Sequence, residues 1–223
     1  MGSQIEITET RFSGVFTDSN RLFTKNMVPR SRVYGEKLYS QGDEEYREWI
    51  PRRSKLAAYI KLGGSYFPFS SDTRVLYLGA ASGTTASHLS DIVTSGIVHC
   101  VEISPRSFRD LVALCGKRGN MVPILADAAK PEDYRPMVEN IETVYQDVAQ
   151  KNQVSILVKN MSTFGAESGM IAIKARSEDV TKAPERVFSE AESSLKKQGF
   201  KVVDVIPLEP FEKDHAMIAV KRK

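Results

Sequence analysis

From Arg74 onward, short hydrophobic runs alternate with stretches of helical character. The runs are VLYL (75–78), IVHCVE (97–102), MVPILA (121–126), IETVY (141–145), MIAIK (170–174), FKVVDVI (200–206) and AMIAV (216–220). Nearly continuous apolar strands separated by helices are typical of a parallel sheet covered on both faces. The last two runs leave no room for a helix between them, so they should pair antiparallel. The pattern predicts an α/β fold with a seven-stranded sheet, parallel except for one strand.

Three stretches have the spacing of amphipathic helices. One follows Pro51, with apolar positions at Leu56, Ala57 and Ile60 and a stop at Gly63-Gly64. Another has an apolar face that ends at Gly199 and is formed by Val187, Phe188, Ala191 and Leu195. The third, VSILVKNMSTF (154–164), also fits a buried strand, but a strand there would break the alternation, so a helix is predicted.

The N-terminal part has a different pattern. Between Gln4 and Tyr39 the pieces IEITE, GVFTD, RLFTK and RVYGEKLY are separated by turn residues, which predicts antiparallel strands. We therefore divide the chain into a small N-terminal β domain, residues 1–50, and a main α/β domain, residues 51–223.

Composition narrows the class of protein. The chain has 223 residues, is 41% hydrophobic and contains no apolar run that approaches the roughly 20 residues of a membrane span. Its first residues are too polar for a secretion signal, so a soluble, intracellular protein is expected. Cys100 and Cys115 match no disulfide or zinc spacing, which predicts buried free thiols. The pair Lys117 and Arg118 is interpreted as a solvated surface face.

Candidate chemistry lies where the predicted strands end, because ligands of such sheets bind beyond the carboxyl ends of the strands. After VLYL comes a loop of small residues that permits close approach of a ligand: Gly79, Ala80, Ala81, Ser82, Gly83, Thr84 and Thr85. Its spacing matches neither GxGxxG, nor a P-loop, nor GxSxG. A tight turn without a ligand is the alternative interpretation.

Acidic residues follow the next two strands. Glu102 lies about twenty residues beyond the loop, where a carboxylate accepts hydrogen bonds from ribose hydroxyls, and Asp127 ends the third strand. Either acid alone could be a surface charge or a helix cap. Together with the loop they suit a cofactor with one adenosine and no phosphates, the composition of S-adenosylmethionine. Strand four ends in Asp147 and strand five in Lys174.

Long blocks of this sequence resemble the fibrillarin family, in particular its short archaeal form. They are YLGAASGTTASHLSDIV (77–93), VEISPRSFRDLVALCGKRGNMVPILADA (101–128), YQDVAQ (145–150), IAIKAR (171–176) and EPFEKDHAMI (209–218). The resemblance implies a Rossmann-like class I methyltransferase that methylates ribose 2′-hydroxyls of rRNA and tRNA as the catalytic subunit of a box C/D guide ribonucleoprotein.

The resemblance also implies partners and a location. The partners would be a Nop-family scaffold protein, a kink-turn-binding ribosomal-protein-like subunit, the box C/D guide RNA and the target RNA. The Gly-Arg-rich extension of eukaryotic relatives is not seen in this sequence, so a cytoplasmic location is expected. A formal net charge of +3 is small for a protein that holds RNA alone, which agrees with RNA held mainly by partners.

The family motifs assign roles to individual residues. The catalytic quartet would be Lys55, Asp147, Lys174 and His215. Cofactor contacts would come from the loop Gly79 to Thr85 and from Glu102, Ile103, Asp127, Ala128, Asp147 and Gln150. The sequence offers no ligand set for a metal, and an activated sulfonium methyl group needs none.

Three other functions remain open at this point. A methyltransferase acting on a protein side chain would have the same cofactor half of the site. An assembly subunit without activity would keep the fold, although the four intact quartet residues argue against it. A nicotinamide-dependent oxidoreductase is disfavoured by the glycine spacing.

Overall fold

The computed structural model describes residues 6–223, and its N-terminal part forms a five-stranded antiparallel sheet. Its strands, in the spatial order β1-β2-β3-β5-β4, are β1 (Thr8–Glu9), β2 (Phe16–Thr17), β3 (Leu22–Lys25), β4 (Leu38–Gln41) and β5 (Glu44–Trp49). The predicted antiparallel strands are confirmed. Gln4, where the predicted β region begins, and Ile5, the first residue of the piece IEITE, lie outside the described residues.

Two details of this sheet differ from the prediction. The piece RVYGEKLY is a strand only from Leu38, because Glu36 turns inward and accepts hydrogen bonds from the backbone N–H groups of Val33 and Tyr34. Strand β5 was not predicted, since its four charged residues resemble a solvated turn. Tyr46 and Trp49 of this strand are buried, and Arg47 is buried with charged partners. The division of the chain at residue 50 remains a prediction.

The second sheet has seven strands in the spatial order β11-β12-β10-β9-β6-β7-β8. They are β6 (Arg74–Leu78), β7 (Ile97–Glu102), β8 (Met121–Leu125), β9 (Thr143–Gln146), β10 (Ser168–Lys174), β11 (Phe200–Pro207) and β12 (His215–Arg222). Only β12 runs antiparallel to its neighbours β10 and β11. The predicted seven-stranded sheet, parallel except for the last strand, is confirmed.

Seven α-helices and two short 3-10 turns connect the strands among the described residues. The helices are α1 (Lys55–Lys61), α2 (Thr84–Ile92), α3 (Pro105–Cys115), α4 (Pro131–Tyr134), α5 (Gln153–Phe164), α6 (Ala175–Glu178) and α7 (Pro184–Lys197). The turns are Pro51–Arg53 and Arg135–Met137. The three predicted helices are therefore confirmed as α1, α5 and α7. None of the helices within residues 6–223 combines the length and the apolar character that a bilayer crossing requires.

The hydrophobic core lies on both faces of the large sheet. Alternate residues of β6 point to opposite sides, so Val75 and Tyr77 join one buried cluster and Leu76 and Leu78 the other. The first cluster also contains Trp49 of the N-terminal sheet, so the two sheets share packing on that side. Cys100 and Cys115 are buried free thiols, as predicted.

Four buried charged residues join the N-terminal sheet to the helices beside it. Arg47 pairs with Glu36 and Asp91, and Arg118 pairs with the other oxygen of Asp91 at 2.6 Å. The prediction that Lys117 and Arg118 form a solvated face is thus wrong for Arg118, which is 2% exposed, whereas Lys117 is exposed. A buried guanidinium requires a paired carboxylate, and Asp91 supplies it.

The order of the strands reverses between β6 and β9. From β6 the chain adds β7 and then β8 on one side, and it returns to add β9 and β10 on the other. Loops after β6 and β9 consequently leave the sheet in opposite directions and open a crevice at the carboxyl ends of the strands.

Candidate active site

A cavity of about 310 Å³ opens at this crevice. It is lined by Gly79, Ala81, Val101, Glu102, Ile103, Ala126, Ala128, Asp147, Val148, Ala149, Gln150 and Lys174. A larger cavity of about 720 Å³ lies at the opposite end of the same strands, beside Arg74, Thr143 and Ser168. We place the site at the smaller cavity, because it lies at the carboxyl ends of the parallel strands, where such sheets bind ligands, and because the paired side chains of Asp147 and Lys174 line it.

The glycine loop, residues 79–85, packs closely against a backbone carbonyl at Gly79 and against a leucine side chain at Gly83. A Cβ atom on Gly79 would lie 2.8 Å from the carbonyl oxygen of Asp147, and one on Gly83 would lie 2.3 Å from Leu114 Cδ2. Both glycines also have positive φ angles, 80° and 91°. The loop can therefore leave β6 directly beside Asp147 and begin α2 immediately afterwards.

Glu102 is buried at the end of β7 and is fixed through both carboxylate oxygens. Oε2 accepts the backbone N–H of Ala81 at 2.8 Å, and Oε1 accepts that of Ser104 at 2.7 Å. Each oxygen keeps a second lone pair for a ligand. The next residue, Ile103, is 54% exposed and offers an apolar surface at the cavity. A carboxylate beside an exposed aliphatic side chain suits a ribose that carries a flat base.

Asp127 and Gln150 form a hydrogen-bonded pair near the same rim. Gln150 Nε2 donates to Asp127 Oδ1 at 2.9 Å, and the Ala129 N–H donates to the same oxygen at 2.9 Å. The hydrogen bond from Gln150 lowers the pKa of Asp127 below its usual value. Asp127 does not cap α4, whose N-cap position is Lys130, so its bond to Ala129 belongs to the preceding turn. Gln150 and Ala128 line the cavity, and Asp127 supports Gln150.

Asp147 lies between two ammonium groups. Lys174 Nζ is 2.8 Å from Oδ1, and Lys55 Nζ is 3.1 Å from Oδ2. Lys174 Nζ also donates to the carbonyl oxygen of Asp147 at 3.0 Å. The structure thus brings together three of the four predicted catalytic residues, which come from α1, the end of β9 and the end of β10. All three side chains are partly exposed, between 13% and 17%.

His215 begins β12 and is the register partner of Lys174. Burial lowers the pKa of His215; the hydrogen bond to the Lys213 carbonyl opposes this, and the nearby charge of Lys55 lowers it further. The ring is therefore neutral near pH 7. Its Nδ1–H donates to the Lys213 carbonyl at 2.5 Å, which leaves Nε2 as an acceptor.

The remaining loop residues predicted to contact a cofactor lie outside the cavity lining: Ala80, Ser82, Gly83, Thr84 and Thr85. The side chain of Thr85 is buried, and its hydroxyl donates to Ser54 Oγ at 2.9 Å. Ser54 is the N-cap of α1, where it accepts the N–H of Ala57 at 3.4 Å. Sequence reasoning missed Ser54, although a serine just before an apolar helix is a recognisable N-cap.

Comparison with known proteins agrees with the fold. The Fibrillarin family model matches residues 7–223. A fibrillarin-like rRNA/tRNA 2′-O-methyltransferase of Methanopyrus kandleri is 51% identical over 201 residues, which cover 89% of this chain and 87% of that protein.

Two solved structures are similar over almost the whole chain. Aeropyrum pernix fibrillarin in complex with natively bound S-adenosyl-L-methionine superposes with a TM-score of 0.87 at 44% identity and covers 97% of this chain and 100% of its own. A chain of a fibrillarin/Nop5p complex superposes with a TM-score of 0.89 at 42% identity, with coverages of 96% and 100%. The large sheet has the Rossmann-like class I methyltransferase fold, and the chain belongs to the fibrillarin family.

Proposed function

We propose that this protein transfers the methyl group of S-adenosylmethionine to ribose 2′-hydroxyls of rRNA and tRNA, as the catalytic subunit of a box C/D guide ribonucleoprotein. One observation carries the proposal: the Asp147 carboxylate is held between Lys55 and Lys174 at the edge of the strand-end cavity. Relatives with the name rRNA/tRNA 2′-O-methyltransferase support the reaction type. A cytoplasmic location is part of the proposal.

The cavity fits the cofactor. When bound, S-adenosylmethionine supplies a methyl group that its positive sulfur already activates for transfer. The closely packed Gly79 loop, the doubly anchored Glu102 and the exposed Ile103 provide the small backbone surface, the hydroxyl acceptor and the apolar contact that an adenosine requires. Asp127, Ala128, Asp147 and Gln150 complete the proposed contacts, and a relative of this chain binds the same cofactor.

The four predicted catalytic residues can compensate for the weak acidity of the ribose 2′-hydroxyl that accepts the methyl group. A ribose 2′-hydroxyl is a very weak acid, so it must be held in line for attack and lose its proton as it reacts. Asp147 is the group of the cluster that can accept this proton or hydrogen bond. Lys55 and Lys174 stabilise negative charge that develops on the attacking oxygen, and neutral His215 offers a further acceptor at Nε2.

The partners are proposed to hold the RNA. A fibrillarin similar to this chain forms a complex with Nop5p, which supports a Nop-family scaffold as a partner here. The kink-turn-binding subunit and the box C/D guide RNA are proposed as further partners because the family resemblance implies them. Arg52 and Arg53 are exposed in the turn just before Lys55, where they can contact RNA phosphates close to the reacting ribose.

The test is methyl transfer in a reconstituted particle. The protein is combined with a Nop-family scaffold, a kink-turn-binding subunit, a box C/D guide RNA and a complementary target, and transfer of a labelled methyl group is measured. We expect one 2′-O-methyl group at the guide-specified nucleotide and poor transfer by the protein without guide and scaffold. Preferred transfer to a protein acceptor, or cofactor binding without any transfer, would contradict the proposal.

A further inference from the structure

The main chain of Lys174 extends beyond the neighbouring strand. Strands β9 and β10 pair only from Ser168 to Ile171, and the last pair joins Ile171 to Gln146. Lys174, three residues further on, pairs with His215 of β12 but has no partner in β9. A buried peptide group without a partner is costly, so another group must take the place of the missing strand.

The side chain of Gln153 takes that place. Its Oε1 accepts the Lys174 N–H at 2.9 Å, and its Nε2 donates to the Lys174 carbonyl at 3.1 Å. A primary amide has one acceptor and two donors, so it can imitate a peptide group of an adjacent strand. Gln153 is fully buried as the first residue of α5. Its amide therefore extends the hydrogen-bond ladder to the last residue of β10.

The same residue is tied to the strand that carries Asp147. Gln146, the residue before Asp147, donates from Nε2 to the carbonyl of Gln153 at 2.8 Å. Gln153 consequently links the tips of β9 and β10, from which the two members of the 2.8 Å ion pair project.

Glu178 closes the arrangement from the other side. It ends α6, which follows Lys174 directly, and it accepts the N–H groups of Asn152, at 3.0 Å, and Gln153. The start of α5 is thereby held against the segment that it supports. A closed ring results. The chain runs from Lys174 through α6 to Glu178, Glu178 is hydrogen-bonded to Gln153, and Gln153 is hydrogen-bonded to Lys174.

We propose that Gln153 is a positioning residue, which sets the place of the Lys174 ammonium relative to Asp147 during methyl transfer. The inference rests on the proposed function of this cluster. A lysine side chain is flexible, so the location of its charge depends on a fixed main-chain origin. Displacement by about 1 Å can lower an enzymatic rate by up to about 100-fold.

The test compares Gln153→Met with Asn120→Leu in the reconstituted particle. Asn120 also donates from its amide to two carbonyls, those of Ser90 at 2.9 Å and Val93 at 2.6 Å, but it precedes β8 at the far end of the sheet. Both substitutions remove buried hydrogen bonds, so both should lower the melting temperature. Only Gln153→Met should lower the single-turnover rate, by about tenfold, with a cofactor Kd within about twofold of the unchanged protein.

A double-mutant cycle with Lys174→Ala separates positioning from a general structural effect. If Gln153 acts through Lys174, Gln153→Met should cause no further loss of rate in the Lys174→Ala background. If Gln153→Met does not fold, Gln153→Asn replaces it in the same cycle, because it keeps an uncharged amide but is one methylene shorter, which weakens both hydrogen bonds to Lys174. A smaller loss of rate is then expected.

The outcomes distinguish this inference from the proposed function. An unchanged rate in the Gln153 variant, together with a slow Lys174→Ala variant, overturns the inference alone. Additive losses in the cycle also overturn it, since Gln153 would then act independently of Lys174. An unchanged rate in Lys174→Ala removes Lys174 from the reaction and overturns the inference alone, whereas absence of methyl transfer by the unchanged protein in the complete particle overturns the proposed function.

Discussion

Two clusters in this protein consist of carboxylates paired with basic side chains, but they have different roles. The tip cluster comprises Lys55, Asp147 and Lys174 at the strand ends. The interface cluster comprises Glu36, Arg47, Asp91 and Arg118, where the N-terminal sheet meets α2. Side chains of the tip cluster are 13% to 17% exposed, whereas those of the interface cluster are at most 1% exposed.

The clusters differ most in charge balance. The interface cluster has two positive and two negative groups, and hydrogen bonds from Thr24 and from the Met27 N–H also reach Asp91. The tip cluster has two ammonium groups around one carboxylate. In a balanced, buried cluster the opposite charges compensate one another, so removal of one member leaves its partner uncompensated and destabilises the fold. A cluster with excess positive charge at a cavity can stabilise negative charge that appears on a substrate.

The largest effect is expected from Arg47→Met in the interface cluster. Burial raises the pKa of Glu36, but the Tyr34 N–H and the charge of Arg47 outweigh it, so that pKa lies below its usual value. Without Arg47, Glu36 would be a buried carboxylate without its cationic partner. Loss of one member of a buried ion pair costs about 3–5 kcal/mol of unfolding free energy.

Denaturant unfolding measures this loss. The exposed Lys25–Glu44 pair supplies the control, since Lys25→Met should leave the unfolding free energy almost unchanged. Equal effects of the two substitutions would show that burial does not distinguish the interface cluster.

The next largest effect is expected from Asp147→Ala in the tip cluster. We expect the methylation rate to fall at least about 100-fold, or about 2.7 kcal/mol of barrier, because the acceptor for the hydroxyl proton is lost. Cofactor binding should persist, since Glu102 and the glycine loop remain. Rates in the reconstituted particle and cofactor titration measure the two quantities. The control is Asp72→Ala, which removes an exposed carboxylate just before β6, at the opposite end of the sheet. Near-normal turnover of Asp147→Ala would remove this carboxylate from the mechanism.

The contrast between the clusters also explains what the sequence could and could not predict. The strand ends were predictable, because apolar runs mark where β7, β9 and β10 stop and so placed Glu102, Asp147 and Lys174 at one edge. Arg118 was misjudged because its partner Asp91 is 27 residues away in the chain and no local pattern reveals such a pair. Strand β5 was missed because four of its six residues are charged, and the burial of Arg47 depends in part on Asp91, 44 residues away in the chain.

The sequence also did not predict the direction in which individual side chains point. Membership of the glycine loop suggested that Thr85 faces a cofactor, yet its hydroxyl points to Ser54. Gln153 carries no local pattern at all, because its function depends on the main chain of Lys174, 21 residues away. Hydrophobic periodicity determines elements and their ends, whereas hydrogen bonds between distant segments require the folded chain.

A smaller effect on the methylation rate is expected from Thr85→Val, at the end of the glycine loop. Thr85→Val removes the 2.9 Å hydrogen bond to Ser54, which caps the helix that begins with Lys55. We expect a loss of methylation rate of about tenfold or less, because a net hydrogen bond contributes about 0.5–1.5 kcal/mol. Thr143→Val is the matched control, since the buried Thr143 hydroxyl donates to the Pro68 carbonyl at the opposite end of the sheet.

Single-turnover rates and cofactor Kd values distinguish two roles for Thr85. A lower rate with an unchanged Kd indicates a role through Lys55. A weaker cofactor Kd with an unchanged rate would return Thr85 to the cofactor site that its sequence position predicts.

The smallest effect is expected on the pH dependence of the unfolding free energy, through protonation of His88 beside the interface cluster. His88 is fully buried, stacks on Trp49 and hydrogen-bonds to the hydroxyls of Thr24, at 2.7 Å, and Tyr34, at 2.8 Å. Burial lowers the pKa of His88 well below its usual value, and the charge of Arg47 lowers it further. The unfolded chain, with a histidine pKa of about 6.5, therefore binds this proton first as the pH falls.

Stability from the neutral His88 ring is thus complete above pH 6.5 and is lost as the pH decreases towards its folded pKa. One such histidine removes about 0.7 kcal/mol of unfolding free energy between pH 7 and pH 6. His88→Gln should lower the unfolding free energy at both pH values and make its pH dependence shallower by this amount. His99 and His215, whose pKa values are also lowered, remain in both proteins and cancel in the comparison. If the pH dependence of the unfolding free energy were the same in His88→Gln as in the unchanged protein, His88 would bind a proton in the folded state. The interface cluster would then tolerate an additional positive charge despite its burial.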